Sequence, residues 1–424
     1  MDTGEFRRLW NEIEPIGRAA AEPGGYVRFS WTEPDLDLRT WFHTQAKRRG
    51  LRYEEDRNGN LYAWWDAEKE EVVDPDAPHP LDKFTARKLR REGAVLTGSH
   101  FDSVPHGGGY DGPLGIVSAF LAVDRLQADG AILKRPIGIA AFTEEEGGRF
   151  GVPCLGSRLM TGAIDPDRAR ALTDPDGVTL AEAMSEAGGE PDLLGPDPER
   201  LERLAAFIEL HIEQGRALDG SESPVSVASA IWPHGRWRMV FTGAADHAGT
   251  TRLPDRRDPM LTFAFAVLAA RKEARLAGGV ATVGRVEVEP NATNAIASTV
   301  TAWLDARAPD EAVLSEILEG FKSKVTERAG RDTTTFAISP ESETPIVEFD
   351  AALRDRIAGL LGGAPILPTA AGHDAGVFSA HVPTAMLFVR NPQGISHAPG
   401  ETASDEDCAV GVAALAAVLR DLAC

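Results

Sequence analysis

Gly98-Ser99-His100-Phe101-Asp102-Ser103-Val104-Pro105-His106-Gly107-Gly108-Gly109-Tyr110-Asp111-Gly112 follows four apolar or small residues, Ala94 to Thr97. Such a run predicts a buried strand that opens into a glycine-rich loop, here carrying a histidine and the aspartates Asp102 and Asp111. Taken alone, the loop is compatible with phosphate binding or with metal binding.

Three further stretches repeat the design. After Pro136, Ile137 to Phe142 predicts a strand with Thr143-Glu144-Glu145-Glu146 at its carboxyl end. Ala205 to Leu210, a strand or the edge of a helix, runs into His211-Ile212-Glu213-Gln214. Ala385 to Val389 leads through a short loop to Gly394-Ile395-Ser396-His397. Sites in open α/β sheets gather at the carboxyl ends of strands. One histidine is more often a satisfied core residue than a ligand, and one acidic run is usually a solvated face. Four strand ends that supply His, Asp, Glu and His together bring the ligands that His100 and Asp111 lack, which decides for a metal.

Composition narrows the partners. The 424 residues exceed what one hydrophobic core usually serves, so two domains of unequal size are expected. A hydrophobic share of 43% with 26% charged residues is that of a soluble globular protein. The formal charge of -21 excludes the basic footprint that nucleic acid or an anionic membrane requires, so a small molecule is the expected partner. Cys154, Cys408 and Cys424 form no paired pattern, which fits a reducing cytoplasm. The mixed charges of residues 1–8 predict no secretory signal, and the longest apolar stretch, Ala409 to Leu419, is too short to span a bilayer.

Along the chain, helical spacing over Phe6 to Ala20 predicts a helix kinked or ended by Pro15, with a second helix over Leu36 to Arg49. Asn58-Gly59-Asn60 turns between short strands, and the charged, proline-rich Glu68 to Arg91 reads as a loop insertion with His79 solvated in it. Leu114 to Leu126 predicts an apolar helix. From Trp237 the order becomes strand, helix, strand, strand, helix, strand, that of a ferredoxin-like unit. The expected organisation is a catalytic domain over 1–229 and 341–424 with an inserted domain over 230–340.

Imidazoles and carboxylates without thiolates suit zinc, manganese or cobalt, and a shared aspartate suits a pair of ions. Two ions roughly 3.5–4 Å apart can polarise a carbonyl and activate water for hydrolysis. The His-x-Asp alternation puts Asp102 on the side of His100, where it can hydrogen-bond the ring and fix its tautomer. Glu145 and Glu146 then divide into one base and one ligand.

The blocks SHFDSVPHGGGYDG (99–112), FTEEEGGRFG (142–151), IELHIEQG (208–215), HAGTTRLPDRRDP (247–259), NAIAS (294–298) with LDAR (304–307), AGHDAG (371–376) and GISHAPGE (394–401) carry a resemblance. In this order they resemble the N-carbamoyl-L-amino-acid hydrolase and allantoate amidohydrolase branch of the dinuclear-metal aminoacylase and carboxypeptidase superfamily. The implied fold is an α/β exopeptidase-like catalytic domain, a mixed central sheet with helices on both faces, carrying an inserted ferredoxin-like α+β lid and dimerisation domain.

The resemblance also implies roles. His100, Asp111 and His211 would hold one divalent ion, and Asp111, Glu146 and His397 the other, with zinc or manganese expected and cobalt or nickel as further fits. Glu145 would be the general base, and a cis peptide bond would follow Asp111. His247 would reach the active site of the second copy in a homodimer and stabilise the developing oxyanion. Asn294 and Arg307 would hold the substrate carboxylate, with Gln214, Arg236 and the backbone near Gly372 as further contacts. The His373 side chain would be structural or support a ligand, and His43, His106, His234 and His381 are ordinary core or surface residues.

Thr369-Ala370-Ala371 and Asn294-Ala295-Ile296-Ala297 depart from the family's usual Ser-Gly-Ala and Asn-Val-Ile-Pro, and Tyr110 replaces a common phenylalanine. The resemblance implies that the first two line the substrate pocket, so they bear on specificity. The expected reaction is hydrolysis of a ureido or carbamoyl C–N bond in a small carboxylate. Allantoate comes first because Ile231 to Trp237 is similar to chains described as allantoate amidohydrolases. N-Carbamoyl-L-amino acids come next, then acylated amino acids or dipeptides. A silent relative serving as a binding module would have little reason to keep five ligands and Glu145.

Overall fold

The computed structural model describes residues 3–67 and 93–424, so the expected loop insertion over 68–91, with His79, lies outside the described residues. The chain divides into two compact units, Met1–Ser229 with Glu348–Cys424, and Ala230–Val347.

The first unit begins with helix α1 (Thr3–Ile13), which buries Phe6, Leu9, Trp10 and Ile13. It stops two residues before Pro15 and does not continue to Ala20, because a proline ring clashes with the preceding turn and lacks an amide donor. Helix α2 (Glu33–Arg48) and strands β1 (Arg52–Glu55), β2 (Leu61–Trp65) and β3 (Ala94–His100) follow, then helix α3 (Pro113–Ala128), β4 (Ile137–Phe142) and β5 (Leu204–Ile212). Strand β6 (Val225–Ile231) ends this first passage.

In the second unit, β7 (His234–Thr242) and the short β8 (Asp246–His247) precede helix α4 (Pro259–Ala277). Strands β9 (Val280–Glu289), β10 (Ala295–Ile296) and β11 (Thr299–Arg307), helix α5 (Glu311–Asp332) and β12 (Thr335–Thr344) complete it. As the chain returns to the first unit it forms β13 (Val347–Glu348), at the boundary, then β14 (Ile366–Thr369), helix α6 (Asp374–Phe378), β15 (Thr384–Val389) and helix α7 (Asp405–Ala423).

The large sheet has nine strands in the order β1-β2-β4-β3-β5-β15-β6-β13, with β14 on β6. Its centre, β4-β3-β5-β15, is parallel, while β2 on β4 and β6 on β15 are antiparallel, so the sheet is mixed. Every residue of β3, β4 and β15 is buried, as expected of parallel strands covered on both faces. Four neighbouring strands therefore end on one edge, and His100, Glu144 to Glu146, His211 and His397 stand at or just beyond those ends.

In the second unit a separate antiparallel sheet runs β12-β7-β11-β9, so its long strands, numbered in chain order, lie 4-1-3-2 as in a ferredoxin-like unit. Strand β7 alternates, burying Trp237, Met239 and Phe241 against Ala266, Ala270 and Phe321 of the two helices while Arg236 and Arg238 stay exposed. The unit runs to Val347, beyond the expected 340, because β12 continues to pair with β7 as far as Thr344.

Candidate metal centre

Two groups of donor atoms, His100–Asp111–His211 and Asp111–Glu146–His397, each lie within 4.8 Å of one another and share Asp111. His100 ends β3, and its Nδ1 faces the backbone carbonyl of Asp102 at 3.0 Å. His211, in β5, turns Nδ1 to the carbonyl of Ile212 at 2.9 Å. With the proton of each ring assigned to that bond, both Nε2 lone pairs point inward. His211 Nε2 lies 3.2 Å and His100 Nε2 3.8 Å from Asp111 Oδ1. On the other side, His397 Nε2 lies 3.4 Å from Asp111 Oδ2 and 3.3 Å from Glu146 Oε2.

The donor set fits a pair of divalent cations. His100 Nε2, His211 Nε2 and Glu146 Oε1 are buried without a hydrogen-bond partner, and orphans of this kind call for an explanation such as an ion. Carboxylates also outnumber the buried imidazoles. Burial opposes charge on His100, yet Glu145 and Asp102 outweigh it and hold the ring's pKa well above its usual value. Burial would raise Asp111, but the close approach of His211 and the influence of His397 and His100 hold it far below the usual carboxylate range. Burial, with Asp374 and Glu146 nearby, pushes Glu145 well up despite His100. A buried carboxyl raised in this way suits a group that must accept and release a proton.

Two expectations about the opening loop are corrected. The cis peptide bonds among the described residues are Glu22–Pro23 and Glu289–Pro290, so Asp111–Gly112 is trans. The chain turns there through Gly112 at φ 89°, where a Cβ would lie 2.5 Å from the His100 ring. The second correction concerns Asp102, which orients His100 through its carbonyl, while its carboxylate stays 3.6 Å from the ring. That carboxylate accepts the backbone N–H groups of Glu145 and Glu146, each at 3.0 Å. Asp102 thus fixes the loop that carries the candidate base and ligand.

Several residues of the centre were not singled out above. Glu401 Oε1 accepts the backbone N–H groups of Tyr110 at 2.9 Å and Asp111 at 3.0 Å. Burial and the charge of Asp111 push Glu401 up to about 8. Glu209, two residues before His211 and so on its side of β5, accepts from Ser99 Oγ at 2.8 Å and Ala375 N–H at 3.0 Å. The His373 ring meets His211 edge-on at 4.5 Å, and donor atoms of Glu209, His211 and His373 also lie within 4.8 Å of one another. Cys154 Sγ donates to Glu145 Oε1 at 3.3 Å. The signals were position in a strand for Glu209 and closeness to His397 for Glu401; Cys154 has none, since only folding brings it to Glu145.

Gln214 Nε2 donates to Asp111 Oδ2 at 2.9 Å and to Ser396 Oγ at 3.2 Å, so its amide joins the centre. Gly372 is exposed beside buried His373. The other candidates belong to the second unit. There β8 pairs with β10, and the Ala248 N–H donates to the Asn294 carbonyl at 3.0 Å, which brings His247 and Asn294 together. His247 Nδ1 accepts the N–H groups of Gly249 and Thr250 at 2.9 and 3.1 Å, so its proton resides on Nε2. Arg307 and Arg236 converge on Asp305, at 2.9 and 3.4 Å.

The model of Peptidase family M20/M25/M40 matches residues 96–421. An N-carbamoyl-L-amino acid amidohydrolase of Geobacillus stearothermophilus is 34% identical, over 96% of each chain. The allantoate amidohydrolase of Escherichia coli K12 is 31% identical, over 99% of this chain and 98% of its own. Among solved structures, an amidase of the hydantoinase/carbamoylase family from Burkholderia multivorans superposes with a TM-score of 0.80 at 29% identity, covering 99% of this chain and 98% of that one.

Proposed function

The chain belongs to peptidase family M20/M25/M40, and from that membership we propose an amidohydrolase that cleaves the ureido C–N bond of a small carboxylate, allantoate first, with release of ammonia and carbon dioxide. The observation that carries this reading is the pair of ligand groups meeting at Asp111, with Glu145 Oε2 3.6 Å from His100 Nε2.

His100, Asp111 and His211 would hold one ion and Asp111, Glu146 and His397 the other, with zinc or manganese expected from the donor set. Two such ions, when bound, polarise the ureido carbonyl and lower the pKa of the attacking water. Glu145 takes the proton of that water and passes it to the leaving nitrogen, a role supported by its burial and its place 3.6 Å from His100 Nε2. Asp102 keeps Glu145 and Glu146 in register through their amides. Arg307, with a planar and permanent charge, holds the substrate carboxylate with Asn294, Arg236, Gln214 and the backbone at Gly372 as further contacts. His247 offers its Nε2–H to the developing oxyanion, acting across a homodimer.

Support for that homodimer comes from the second unit, where Leu261, Leu268 and Leu276 of α4 and Val280 and Val286 of edge strand β9 are exposed. No described helix is long and apolar enough to cross a membrane, and all three cysteines are free, in keeping with a cytoplasmic site of action. N-Carbamoyl-L-amino acids are the second reading, favoured by the 34% identical relative. Ammonia release by metal-reconstituted enzyme tests both. A kcat/KM for allantoate above that for a panel of N-carbamoyl-L-amino acids supports the first reading, the reverse order supports the second, and equally low values contradict both.

A further inference from the structure

Glu401 lies four residues after His397 yet reaches the loop of Asp111, 290 residues earlier in the chain. One carboxylate oxygen accepts two successive amides, those of Tyr110 and Asp111. The fit is close, because a Cβ on Gly108 would come within 2.2 Å of that carboxylate. Glu401 is 7% exposed, so these two bonds to peptide N–H groups are made out of reach of solvent.

The ligands differ in how the fold holds them. His100 and His211 sit in β3 and β5, where pairing with Phe142 of β4 and Phe388 of β15 fixes their backbones. His397 sits in a loop with φ 54°, a conformation costly for a non-glycine residue, and its side chain is 49% exposed. Asp111 is also in a loop. Among the described hydrogen bonds, two side chains of the 394–401 segment reach Asp111: Ser396 Oγ donates to its Oδ2 at 3.2 Å, and Glu401 holds its backbone.

We propose that Glu401 is a positioning residue that sets the separation between Asp111 and His397, and so governs the affinity of the Asp111–Glu146–His397 site selectively. This rests on the two-ion reading above. Loosening the staple lets the two loops part, which costs the site made of loop ligands more than the site anchored by two strand histidines.

The test titrates metal-free protein with Mn²⁺ by calorimetry and follows hydrogen exchange at the Tyr110 and Asp111 amides. Glu401→Asp keeps the carboxyl group but is one methylene short of both amides, and Glu401→Gln keeps an acceptor at full reach. Gly108→Ala drives a methyl against the Glu401 carboxylate from the opposite side and leaves Glu401 itself intact. Wild type is expected to bind two ions. Glu401→Asp and Gly108→Ala should bind one of them within about threefold of wild type and the other at least about tenfold more weakly, with faster exchange at both amides. Glu401→Gln should stay within about threefold of wild type at both sites. If Glu401→Asp and Gly108→Ala bind both ions as wild type does, or lose both alike, the inference is overturned and the two-ion reading stands. Wild type that binds fewer than two ions overturns the two-ion reading and the inference with it.

Discussion

The carboxylate of Asp102 accepts the backbone N–H of Glu145 at 3.0 Å, so a side chain of the first loop sets the place of the candidate base on the second. The other oxygen takes the N–H of Glu146. In Asp102→Asn one of these acceptors becomes an NH₂ group facing an N–H, leaving a buried amide unpaired at about 1–3 kcal/mol. We expect kcat to fall by about tenfold to a hundredfold with KM within about threefold, measured as ammonia release at saturating metal. A loss confined to KM contradicts the role assigned to Asp102.

Gly112 turns the chain at φ 89° with no room for a side chain against His100. Gly112→Ala must move the ring or the backbone, and a strained left-handed alanine costs about 1–2 kcal/mol before any clash. The variant should melt at a lower temperature in calorimetry and retain less metal after dialysis. Wild-type values for both would contradict the close approach.

Chelation should abolish activity and leave the fold. The parallel strands around the centre bury their side chains independently of the ligand atoms, with Val95, Ile137, Ile208 and Leu387 in one core. Dialysis against a chelator is therefore expected to preserve the far-ultraviolet circular dichroism spectrum, while zinc or manganese restores turnover. Collapse of the spectrum on chelation would mean that the ions hold the sheet together.

Asp305 is held below the usual aspartate range: burial works the other way, but a hydrogen bond from Arg307 and the charges of Arg307 and Arg236 outweigh it. A carboxylate depressed on folding adds stability that is fully present above its unfolded pKa of about 3.9 and is lost as pH falls through the lower folded value. Asp305→Asn should melt below wild type by an amount that is constant from pH 5 to 7 and shrinks only at pH below about 4. The same variant removes the Asp305 carboxylate that Arg307 and Arg236 share and should raise KM for the carboxylate substrate more than it changes kcat. A stability difference that grows on acidification would contradict this account.

The parallel centre of the sheet was legible because its strands are apolar throughout and each ends in polar residues, a pattern that survives without knowledge of neighbours. The alternation of β7 and the helical periods around it likewise predicted the second sheet. The identity of the atom that orients His100 was not legible, since His-x-Asp spacing suits the carboxylate and the carbonyl of Asp102 equally and only the backbone path selects the carbonyl. Glu401 and Cys154 act on residues distant in sequence, and long-range contacts of this kind leave no local period. Of the two outcomes expected at Pro15, a kink or an end, helix α1 takes the second and stops at Ile13, although the apolar spacing runs on to Ile16.

The central claim is that Glu145 moves the proton between water and the leaving nitrogen. Glu145→Gln keeps size and burial but removes the basic oxygen. Ammonia release by metal-loaded wild type and Glu145→Gln enzyme, on allantoate and on N-carbamoyl-L-amino acids, measures this directly. The account predicts turnover by wild type on at least one of them and a loss of at least about a hundredfold in kcat for the variant at unchanged metal content. Equal turnover by the two proteins would contradict it.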